Sequence, residues 1–135
     1  MEKNGIGLEQ TMKEALEAID GLKDRVCPVV DIQKSTGPLA VYDQRGENEQ
    51  KALTGGSGLL TAEYQIHVLH NTYLKMRQLA EQVKAAVQAL EGTSHLPILI
   101  EAVNVELGSP DILESKVQMF RRTYNVTFQY QIKED

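Results

Sequence analysis

The chain has a single cysteine, Cys27, and no tryptophan among its 135 residues. One cysteine excludes an internal disulfide, and with Val26 and Pro28 beside it, Cys27 reads as a small buried hydrophobe. Long apolar runs are missing too. None approaches the ~20 residues that span a bilayer, and the opening "MEKNGIGLEQ" lacks the apolar centre of a signal peptide. The expectation is a chain without membrane attachment, made in a cytoplasm and kept there or in something assembled there. Basic residues are outnumbered: 14 Lys and Arg face 19 Asp and Glu, for a net charge of −5. That balance opposes an extended grip on nucleic acid, which depends on cations displacing counterions from phosphates. Aromatics reach only 5%, yet Phe120, Tyr124, Phe128 and Tyr130 crowd one segment, where they read as core.

What is present is ordinary globular composition, 41% hydrophobic and 24% charged, which places residues 1–135 in one domain able to bury roughly two thirds of its unfolded surface. Leu8, Met12, Ala15, Leu16 and Ile19 form the stripe of an amphipathic helix, stopped by Gly21 with Leu22 folding back. "RVCPVVDIQ" is strand-like, and Pro28 marks it as an edge or a bulge. "STGP" is a turn by composition and "LAVYDQ" a second strand. The polar passage "YDQRGENEQKALTGGSGLL" follows, longer than a compact domain needs to turn a corner. In "LLTAEYQIHVLH" apolar and polar residues alternate, the period of a strand with one wet face. Met76, Leu79, Ala80, Val83, Ala86, Val87 and Leu90 then recur at helical spacing between a cap at Asn71 or Thr72 and a stop at Gly92. "LPILIEAVNVEL" is a strand whose alternation changes phase near Glu101, as at a bulge; "GSPD" is a turn; and the alternation from Tyr124 to Ile132 is the last strand. The predicted fold is α+β in two layers: a mostly antiparallel sheet with two helices on one face, in the order helix, three strands, helix, two strands.

Reactive constellations are weak. His67 and His70 in "HVLH" point to opposite faces of a strand and would not converge on a metal. "TGGSG" runs into a strand, whereas a phosphate-binding loop opens a helix. Ser57, Ser94, Ser109 and Ser115 lack the setting of a nucleophile, and Glu47 and Glu49 sit in the polar passage without the burial that shifts a carboxylate. "NVT" at Asn125 matches a glycosylation acceptor by chance. No catalytic residue, metal or cofactor is expected. Adjacent Arg121 and Arg122 would face opposite ways in an extended chain, one of them paired with an acid or reaching a neighbouring subunit.

The segments in their order resemble the tail-completion or tail-terminator proteins of long-tailed bacteriophages and prophages. "DRVCPVV" is similar to that family's arginine-valine-any-proline strand, and "GPLAVYD" to its proline-aromatic-aliphatic-tyrosine strand. "AEYQIHVLHNTYLKMRQLAEQVKAAVQAL" is similar to its strand, short turn and long alanine-rich helix, and "SKVQMFRRTYNVTFQY" to its closing arginine and strand. The likeness runs from about Leu8 to Ile132; Ala40 stands where an aromatic is usual, and the polar passage is longer than in many members. The resemblance implies a non-enzymatic virion protein that caps the tail tube, ends its polymerisation and joins tail to head as a homo-oligomeric, hexameric ring. Its partners would be the tail-tube and head-connector proteins, with DNA passing through the channel without sequence-specific binding. The place would be the tail–head junction of the virion, after assembly in the host cytoplasm. Residues 43–58 would be a long hairpin arm between the second and third strands, loose alone and ordered by a neighbour. The contact residues implied are Arg45, Glu47, Glu49, Lys51, Leu53, Arg121 and Arg122. Two other readings compete: a binding module using a sheet face for a small ligand or peptide, and an enzyme using His67, His70 or His95.

Overall fold

The computed structural model describes residues 4–28, 37–51, 58–95 and 97–132. In α1 (Asn4–Glu17), Leu8, Met12 and Leu16 stack on one side of the helix and are fully buried. The chain takes left-handed backbone at Gly21, φ +92°, and returns Leu22 to the core, its N–H donating to the Ile19 carbonyl at 3.0 Å. The helix itself ends at Glu17, ahead of the predicted stop; Gly21 marks the turn that follows it. In α2 (Tyr73–Gln88), the Thr72 hydroxyl accepts the Lys75 N–H at 3.2 Å, satisfying one donor of the first turn. Met76, Leu79, Ala80, Val83 and Val87 make its buried face. Gly92, φ +80°, then redirects the chain and bonds the Ile100 carbonyl at 2.8 Å.

The strands are β1 (Val26–Pro28), β2 (Leu39–Lys51), β3 (Gly58–His70), β4 (Ser94–His95), β5 (Ile98–Glu114) and β6 (Met119–Ile132). They form one sheet in the order β1-β2-β3-β6-β5-β4. The α+β class holds, but the detail differs from expectation in four ways. First, the sheet is mixed: β1 runs parallel to β2, with Val26 opposite Ala40. A tight turn cannot join parallel neighbours, so β1 and β2 are not the antiparallel pair that short spacing implied. Second, a sixth strand exists, because Ser94 and His95 pair with Leu99 and Ile98; two residues are too few to show a period.

Third, "GSPD" is not a turn. β5 continues through it to Glu114, with register shifts between Leu107 and Ser109 and between Ser109 and Ile112. Gly108 and Pro110 lie within those irregularities, where an outer strand tolerates a residue without an N–H. The shift between Ile100 and Ala102 is the bulge that the phase change near Glu101 predicted. Fourth, the layers are not simply helices over a half-wet sheet. The main core joins both helices to Ala40, Tyr42, Ala62, Tyr64, Ile66, Val68, Tyr124, Val126, Phe128 and Tyr130. A smaller cluster of Leu39, Val41, Leu69 and Met119, with Cys27 and Val117 against it, lies on the other face, and the sheet curls like half a barrel. Bulges increase local twist and bend the strands that carry them.

The polar passage is strand over most of its length. Gly46 to Lys51 of β2 pair antiparallel with Glu63 to Gly58 of β3, after a register shift between Gln44 and Gly46. This ladder is formed inside the chain: the backbone of those residues takes its partners from β3, where the expectation had the arm loose until a neighbour ordered it. Residues 52–57, including Leu53, lie outside the described part.

Candidate interaction surface

Arg122 organises one end of the sheet. Carried by β6, it donates from Nε to Asp111 Oδ1 at 2.8 Å and from Nη2 to Asp111 Oδ2 at 2.8 Å. This fork matches the planar guanidinium to both carboxylate oxygens. Glu81 of α2 stands 3.7 Å away, so three elements meet at one cation. Tyr73, the first residue of α2, adds a hydroxyl donor to Asp111 Oδ2 at 3.1 Å. Its ring packs edge-on against Phe120, centroids 5.8 Å apart, with the Arg77 guanidinium 5.9 Å from its centre. The Arg122 bonds hold the Asp111 carboxyl below the ordinary carboxylate range, against the upward push of burial. In return Asp111 raises the already high Arg122 value.

Arg121 faces the other way, as its place in an alternating strand requires, and pairs with Glu114 at 3.0 Å. Both arginines thus have acids within the chain. Arg45 lies at the irregularity in β2, ion-paired with Asp43. With Glu63, Gln65, Glu106, Asn125 and Thr127 it lines a mostly polar depression of about 350 Å³ on the wet face. Glu47, Glu49 and Lys51 occupy β2 positions opposite Ala62, Leu60 and Gly58. The predicted contact residues therefore fall in two places, the β2–β3 hairpin and the β5–β6 end, and are not drawn into one cleft.

The histidines are engaged separately. His67 Nδ1 and the buried Thr123 hydroxyl are 2.9 Å apart; His70 Nδ1 accepts the Asn71 N–H at 2.8 Å; His95 Nε2 is 2.7 Å from the Thr93 hydroxyl. Burial lowers the first two below the usual imidazole value, helped by Arg121 at His67 and by Lys75 at His70. Among the described residues no group of three or more His, Cys, Asp or Glu is placed to hold a metal. Burial also raises the Cys27 thiol and, with a hydrogen bond to Glu9, the Tyr42 hydroxyl. The described helices include none long and apolar enough to cross a membrane.

Sequence reasoning missed an apolar fringe. The large hydrophobic residues that stay exposed among the described residues are Tyr73, Leu74, Leu107, Ile112 and Leu113. All belong to the first turn of α2 or to β5. The signal was obscured because "GSPDIL" reads as a turn and its aftermath; only once β5 is seen to continue do Leu107, Ile112 and Leu113 fall along one outer strand.

No family model and no curated protein matches the chain. Among solved structures the fold is shared with a chain from the virion of a native gene transfer agent particle, at TM-score 0.64 and 13% identity, covering 89% of this chain and 91% of that one.

Proposed function

We propose that the protein is a structural component of a virion and acts without catalysis as a tail terminator. Copies form a hexameric ring that caps the tail tube and joins it to the head, with DNA passing through. The observation that carries this reading is the full-length likeness of fold to a chain of a gene transfer agent virion, reached independently of the segment order that resembles the tail-terminator family. Three further features support it. Among the described residues, the histidines and the arginine–acid pairs are engaged separately and do not converge on one centre. The acidic balance of −5 suits a wall past which DNA must slide without sticking. And a ring built head to tail needs two different patches on each subunit, of which the β2–β3 hairpin can supply one.

The test is to shorten the hairpin in register. Because Glu49 faces Leu60, an Asn-Gly turn joining those two residues keeps the ladder up to that point and removes only the tip. The shortened protein should fold as before, judged by circular dichroism, yet fail to form rings in electron micrographs of protein mixed with tail tubes. Unchanged capping by a folded variant would count against the arm as an assembly element.

A further inference from the structure

We propose that the outer edge of β5 from Val103 to Glu114, with the first turn of α2, is a docking edge. Its occupant is an extended segment of a different polypeptide that carries lysine or arginine beside aliphatic residues. The inference goes beyond the ring and does not depend on it.

Topology opens the edge. β5 pairs with β6 along one side, while β4 covers the other side only at Ile98 and Leu99. From Val103 onward, no strand among the described residues occupies that side. The Glu91 carboxylate accepts the Val103 N–H at 3.0 Å; beyond that bond the edge presents alternating N–H and C=O groups to any chain that lies beside it. Local bonding holds it in shape: Arg122 and Tyr73 both grip Asp111, and Arg121 grips Glu114. Pro110 contributes no N–H, so an added ladder would divide into a stretch at Val103–Leu107 and another at Ile112–Glu114.

Side chains give the edge its preference. Leu74 is 66% exposed and Leu107 57%, and the exposed large hydrophobics of the described residues all lie on β5 or the first turn of α2, with Ile112 and Leu113 on opposite faces of the edge strand. Charge narrows the partner further. β5 carries Glu101, Glu106, Asp111 and Glu114 and no Lys or Arg. Arg122 and Arg121 answer Asp111 and Glu114, whereas Glu101 and Glu106 form no salt bridge among the described residues, Glu106 accepting only the Asn104 amide at 3.0 Å. Two such edges would set carboxylate against carboxylate, so self-pairing is disfavoured. The hairpin of a neighbouring copy fits poorly as well: its residues 43–51 combine Arg45 and Lys51 with Asp43, Glu47 and Glu49 and include no aliphatic side chain. The complementary segment is cationic and aliphatic, and comes from another chain.

The probe is a synthetic peptide of about nine residues, the length of one strand, alternating valine with threonine and lysine. Controls replace its lysines with glutamate or its central residue with proline. Titrated into the full chain and followed by amide chemical shifts, the lysine peptide should perturb Val103–Leu107 and Ile112–Glu114, and both controls should bind about tenfold more weakly. In the protein, Glu101→Lys with Glu106→Lys should reverse the preference in favour of the glutamate peptide. Leu107→Ser with Leu113→Ser should weaken the lysine peptide about tenfold while leaving the dispersed amide spectrum intact. Shifts centred elsewhere, equal binding of lysine and glutamate peptides, or a preference unmoved by the charge reversal would overturn the proposal.

Discussion

Asp111 and Arg122 show how one residue pair connects three elements. The Arg122 side chain is only 14% exposed, so its charge depends on the carboxylate opposite. In Asp111→Asn an amide nitrogen, itself a donor, meets the guanidinium and the charge-assisted fork is lost. The expected cost is about 1–3 kcal/mol at neutral pH, read from chemical denaturation; wild-type stability in this variant would mean the fork organises nothing. The sign of the pH effect follows from the lowered Asp111 value. A carboxyl whose folded value lies below its unfolded one, about 3.9, contributes fully above the unfolded value and loses that contribution as pH falls through the folded one. The variant should therefore shed part of the acid limb below about pH 4 and be parallel to wild type above it. The opposed directions of Arg121 and Arg122 were legible from strand alternation alone. Asp111 as the partner was not, because glycine and proline beside it spell a turn, and only the bulged continuation of β5 sets it beside β6.

Among elements, those with a long period were readable and those defined by their neighbours were not. Leu8, Met12 and Leu16 announce α1, and the alternation of β3 and β6 announces the centre of the sheet. The direction of β1 is hidden because a run of three residues carries no sign of which way it lies beside β2, and β4 because two residues carry no pattern. Gly37 marks a place where elements come close. A Cβ there would lie 2.8 Å from the His70 Cα and 3.2 Å from the Asn71 N, backbone atoms that cannot swing aside. Gly37→Ala should lower stability by about 1–3 kcal/mol, the usual cost of overpacking. Gly108→Ala is the contrast: its Cβ would also meet an atom at 2.8 Å, but that atom is the Asn125 Oδ1, on an exposed side chain free to turn. Thermal melts should separate the two, with Gly108→Ala close to wild type. Equal losses would mean the approach of Gly37 to β3 is looser than the geometry implies.

At the scale of the whole molecule, the curled sheet buries its centre on both faces and leaves its chemistry at the margins. The main core under the helices and the small cluster of Leu39, Val41, Leu69 and Met119 fix the curvature, while the β2–β3 hairpin and the outer side of β5 remain as edges. Shape at the margins is what the proposed assembling subunit needs. The functional reading thus rests on where the chain resides when it is at work. Gold-labelled antibody against the protein, applied to purified particles from the producing cell and viewed by electron microscopy, tests that directly. The account predicts label on intact particles, confined to the point where tail meets head; particles that carry no label, or carry it along the tail or over the head shell, would contradict it.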